Sequence, residues 1–175
     1  MSEATERRVV RTIPDSEHVA PGVELITVHV LAAPVLVWDR ASAHTADLLR
    51  EFALLTIGAE SGLTRGVPGE PLELVAEQRA RYAGASADQT AELDRAVEAG
   101  ERSRDFTYRV PVAVSAACAT LLALLDAADE YCEGGRELMT LVSPSDQREF
   151  RHWYLGEFIR QIAGEAAQPW TGPLT

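Results

Sequence analysis

The chain has 175 residues, 46% hydrophobic and 25% charged, and its 27 acidic against 16 basic residues leave a net charge of −11. That length suits one domain, which can bury about 70% of its unfolded surface and needs no metal or disulfide staple to hold a core. A surface this negative repels phosphate backbones and anionic lipid, which argues against nucleic acid and membranes as partners.

Residues 1–20 are polar and contain Pro14; they read as a flexible arm. The arm has no apolar signal core, so a cytoplasmic location is expected. The single domain is expected over 21–164. Val23–Leu31 is rich in β-branched residues and predicts a strand that Pro34 closes. Val35 to Ile57 predicts a long helix, with Trp38, Ala41, Thr45, Leu48, Phe52 and Leu55 in one stripe and Leu49 widening it. Gly58 stops it. Ala59 to Glu70 reads as a loop, and Pro71 to Ala83 as a short helix. Ser86 and Gln89 form a capping box that opens a helix to Arg102. Its only larger apolar residues are Leu93 and Val97, so it is expected to lie outside.

Phe106–Val110 alternates apolar and polar and reads as a second strand, able to pair with the first. Val112 to Cys132 is the most apolar helix. Because Ala116–Leu125 is apolar nearly all round, it is expected to be the buried central helix. Its acidic end, Asp126, Asp129, Glu130 and Glu133, opposes the helix macrodipole. Gly134 ends it, and 136–142 reads as a connector. Ser143, Pro144 and Asp146 predict a capped start for a last helix, Ser145–Ala163. That helix carries an aromatic face of Phe150, Trp153, Tyr154 and Phe158. Gly156 in its middle suggests that another helix passes close by. Gly164 fits its C-terminal cap, and residues 165–175 read as an extended tail whose Trp170 turns back onto the body. The fold class expected is mainly α, a helical bundle around a buried central helix with at most a small two-stranded sheet. No apolar run approaches the roughly 20 residues of a membrane span.

Chemistry is sparse. Cys118 and Cys132 lie about 21 Å apart along one helix, too far for a disulfide, and read as buried small hydrophobes. No catalytic residue, cofactor-binding residue or cofactor is expected, because nucleophile, phosphate-loop and dinucleotide motifs are absent. His44, Asp47 and Glu51 share a helix face, and His152 on another helix could oppose them as a metal or ligand site. Against this, no pair of histidines has ligand spacing, and the edge of a packed face is preferred, with His44 hydrogen-bonded to a neighbour. The aromatic helix face reads first as core. Its width also makes it the expected place for a protein partner, through Trp153 and Phe158 with Arg151 and Arg160 at the rim, and a homodimer is expected as well.

The stretches WDRASAHTADLLREFALL, DEYC and FRHWYLGEFIRQIAG resemble small helical proteins of high-GC bacteria associated with partner-switching regulators, the anti-sigma-type ATP-binding proteins and their antagonists. The resemblance spans residues 29–170. It implies a regulatory or adaptor protein, because the Asn-containing box and Gly-rich lid of an anti-sigma kinase are missing. The function expected is non-catalytic regulation by protein–protein contact. The alternatives are a small-molecule sensor with an apolar cavity near Trp38 and Trp153, and a metal-dependent bundle enzyme using His44.

Overall fold

A computed structural model describes residues 24–60, 88–133 and 143–174, with side chains for all of these except 52–60 and 131–133. The expected arm, residues 61–70 of the expected loop, the 71–83 helix, the capping box at Ser86 and the connector at 136–142 lie outside the described residues, as does the side chain of Cys132; the first helix does not stop at Gly58 as expected but continues to Glu60. The elements are β1 (Leu25–Pro34), α1 (Val35–Glu60), α2 (88–98), β2 (Ser103–Pro111), α3 (Val114–Glu133) and α4 (Ser145–Ile162). Among the described residues no helix is long and apolar enough to cross a membrane.

The two strands pair antiparallel, with Leu25 opposite Pro111 and His29 opposite Thr107. β-branched residues suit this pleated, one-sided ribbon. Val28 and Val30 point in and are fully buried, while Thr27 and His29 are exposed. The register shifts between Val30 and Ala33. There Ala32 takes φ 55°, and its N–H donates to the Asp105 carboxylate at 2.7 Å. A non-glycine residue at positive φ is uncommon, and here a local hydrogen bond holds it. The bulge carries the strand three residues beyond its expected end, to Pro34, which sits directly before the first residue of α1.

A two-stranded ribbon has two open edges, and both are capped by glutamine. His29 turns its main chain away from β2, and the Gln161 amide satisfies both groups: His29 N–H donates to Oε1 at 2.9 Å, and Nε2 donates to the His29 carbonyl at 2.7 Å. Opposite, Gln89 of α2 donates from Nε2 to the Thr107 carbonyl at 3.1 Å. Each glutamine thus satisfies one main-chain position that the ribbon leaves open.

The core forms between the ribbon, the start of α1 and α4. Val35, Val37, Trp38 and Ala41 are buried, with Leu93 and Ala96 of α2 closing one side. α4 packs against α3, α1 and β1. A buried central helix at α3 is not what the structure shows. α3 buries Val114, Cys118, Leu125 and Ala128 but exposes Ala116, Ala119, Ala123 and Ala127. Alanine counts as apolar, but one methyl exposes too little surface to force burial. Large rings decide the centre instead. Trp38 meets Phe106 edge-on at 4.5 Å, and Tyr154 lies 5.0 Å from Trp38 and 5.6 Å from Phe150. Tyr108 meets Phe158 at 5.1 Å.

α4 starts differently from its sequence signature. Pro144 is its N-cap residue and no side chain caps it. Ser143 faces the interior: its N–H donates to Asp129 at 2.9 Å, and its hydroxyl accepts from Arg151 at 3.4 Å. The C-terminus follows expectation. Gly164 has φ 93°, with Gly164 N–H bonded to the Gln161 carbonyl and Glu165 N–H to that of Arg160. Those two bonds are the Schellman pattern, which needs a left-handed residue at that position. Gly156 has another explanation than a close helix, because a Cβ there would meet only the tip of Arg160, at 3.7 Å.

Candidate functional site

The acidic end of α3 faces the first half of α4, and a groove of about 490 Å³ opens between them, lined by Asp126, Asp129, Glu130, Arg148, Glu149 and His152. Arg151 holds its floor carboxylates, Asp126 and Asp129. Its side chain is 7% exposed, and Nη2 donates to Asp126 at 2.8 Å and to Asp129 at 2.7 Å. The unfavourable acids at the end of α3 are thus compensated from another helix. Burial alone would raise the Asp129 carboxyl, but the Ser143 N–H and the Arg151 guanidinium outweigh it and hold it below the usual carboxylate range. His152 sits half-exposed on the wall, Nε2 at 3.0 Å from Asp126. The floor is a fixed ion-pair network of two carboxylates on one guanidinium, while Glu130 and Glu149 stand exposed at the rim.

The residues expected to bind a partner are used within the chain. Phe158 is buried against Tyr108 and Tyr154. Arg151 is buried rather than at an outer rim, because it pairs with both Asp126 and Asp129. Arg160 pairs with Glu157, which is fully buried. Trp153 is half-covered by the tail: its ring lies 5.3 Å from Trp170, and Nε1 donates to the Gln168 carbonyl at 3.0 Å.

His44 lies at the edge of the packed face, and its Nε2 is buried with no hydrogen-bond partner among the described residues. Asp47 turns to Arg50 at 2.7 Å, and His152 turns to Asp126. Glu51 is half-buried and also engaged. Among the described residues no three His, Cys, Asp or Glu side chains gather as metal ligands would. Rings occupy the space around Trp38 where the sensor alternative places a cavity.

Two clusters escaped the sequence reading. The Asp126–Asp129–Arg151 network was signalled by the uncompensated acids, but the helix supplying the cation is set by tertiary packing. Glu157 was legible by position: it follows Trp153 by four residues and so shares the aromatic face. There its Oε2 accepts from Gln161 Nε2 at 2.7 Å and from the Gln168 N–H at 3.1 Å. Comparison with known proteins gives no matching family model, no matching curated protein and no matching solved structure.

Proposed function

We propose that this chain is a regulatory or adaptor protein that acts by binding another protein, and that the α3–α4 groove is where it does so. The observation that carries this reading is the groove itself: exposed Glu130 and Glu149 stand over a floor whose ion pairs are already satisfied. Fixed floor groups make a poor site for acid–base turnover, because Asp129 is held ionised and Arg151 is engaged twice. A rim of free carboxylates on a chain of charge −11 suits a basic partner surface, raising its rate of association and orienting its approach. The resemblance to partner-switching regulators agrees with this role. The large rings of α4 contribute rigidity rather than contact, since they fill the core.

The test is charge reversal at the rim. Glu130→Lys with Glu149→Lys alters two exposed side chains and leaves the Arg151 network intact. Tagged wild type and this variant are used to recover complexes from the native cell at low and at molar salt, where the screening length falls to about 3 Å. The wild type retains a basic partner at low salt that the variant loses. Equal retention of the same partner by the variant overturns the assignment of the groove.

A further inference from the structure

The C-terminal tail is bound to the body in the way a peptide ligand is bound. Gln168 is held on both sides of its main chain, its N–H by the Glu157 carboxylate at 3.1 Å and its carbonyl by Trp153 Nε1 at 3.0 Å. Two residues on, the Trp170 N–H donates to the Leu31 carbonyl at 3.0 Å, which adds a strand-like bond to the outer edge of β1. The Trp170 side chain is 7% exposed, its ring 5.9 Å from Phe150 and 5.3 Å from Trp153. The segment also closes around its own anchor. Trp170 Nε1 donates to the Pro173 carbonyl at 2.9 Å, and Gly172 lies against the indole so closely that a Cβ there would stand 2.3 Å from Cζ2. No residue after Glu165 is charged. The slot therefore reads an indole and main-chain groups, the usual currency of extended-peptide recognition.

The geometry points to a releasable strap: residues 168–174 are the internal ligand of a peptide-binding slot between α4 and β1, and the slot's ligand in trans is the same strap from a second copy of this chain. The second copy is the occupant because its segment has the shape the slot already fits. The strap is joined to α4 through 163–167, whose first four residues are exposed. Five extended residues reach at most about 18 Å, so exchange brings the C-terminal ends of two α4 helices together. In cis the strap has a high effective concentration, which keeps the slot filled until the strap is displaced. Its departure uncovers Trp153 and the Leu31 carbonyl. It also removes one donor from Glu157, the carboxylate that holds the Gln161 cap on His29. This site lies apart from the acidic groove, so either assignment can fail without the other.

The test uses the full chain with Trp170→Ala, which empties the slot, and a fluorescein-labelled synthetic peptide of residues 165–175. The variant binds the peptide saturably, and wild type binds it at least about tenfold more weakly because its slot is filled. Adding Trp153→Ala to Trp170→Ala weakens binding by about tenfold or more, the scale of losing an aromatic anchor. A peptide carrying Gly172→Ala fails to bind. Wild type at high protein concentration sediments partly as a homodimer that Trp170→Ala does not form, because only reciprocal exchange of two intact straps keeps both slots filled. Failure of a Trp170→Ala chain with wild-type circular dichroism to bind the peptide overturns the slot, as does equal binding by wild type. Loss of fold in Trp170→Ala shows the strap to be irremovable core and overturns its release. Peptide binding without a wild-type homodimer overturns the second copy as its ligand.

Discussion

Single side chains carry the chemistry of this protein through burial. Asp129 is the clearest case, a buried carboxylate held ionised by Ser143 and Arg151. Its pKa is lower folded than unfolded, so its contribution to stability is complete above the ordinary carboxylate range and is lost as pH falls through the depressed folded value. Asp129→Ala strips Arg151 of its buried partner and is expected to lower stability by about 3–5 kcal/mol at neutral pH. Thermal melts across a pH series check this: the gap between wild type and variant holds at neutral pH and narrows in strong acid. A gap that widens on acidification contradicts the assignment. Cys118 shows burial acting alone, which pushes its thiol up to about 12. In a Cys132→Ser chain at pH 8, a disulfide reagent is expected to label Cys118 only as fast as the protein unfolds. Rapid labelling under native conditions would show the thiol to be accessible. Neither property is legible from the sequence around these residues, because the groups that set them come from other elements.

Among the elements, α4 is where local signals and packing part company. Its two glycines make opposite predictions. Gly156 is helical and has room for a Cβ, so Gly156→Ala is expected to stabilise by about 1 kcal/mol through helix propensity alone. Gly164 sits at φ 93° in the cap, so Gly164→Ala is expected to destabilise by about 1 kcal/mol. At this chain length each shifts the melting temperature by about 2–4 °C, in opposite directions, and calorimetry resolves them. The cap was legible because a left-handed residue after a helix is a backbone requirement. The role of Gly156 was not, since proximity of a neighbouring helix is invisible in one sequence. β1 was legible from its β-branched residues and β2 from its alternation of apolar and polar residues. Their glutamine caps were not, because Gln161 lies 132 positions from His29.

The whole molecule is governed by charge. At −11 it repels itself, and screening is expected to stabilise it. Raising the ionic strength from 0.01 M to 0.15 M shortens the screening length from about 30 Å to about 8 Å. The melting temperature is expected to rise over that range. It should rise less in the Glu130→Lys, Glu149→Lys variant, whose net charge is −7. A melting temperature that falls with added salt would mean that surface ion pairs, such as Arg40–Asp146 at 3.2 Å, outweigh the repulsion.

Periodicity alone determined that long helices and two short strands occur and where most of their ends fall, because apolar spacing and breaker residues act within a turn or a pair of residues. The charge balance follows from composition. Tertiary structure decided which side chains fill the core, and these are large rings from α1, β2 and α4 rather than the alanines of α3. It also decided what the polar residues do. Arg151 and Gln161 look like ordinary helix-surface residues in the sequence, yet each is buried and joined to a group 25 or 132 positions away. Those pairings depend on where separate elements come to rest, and local spacing carries no information about that.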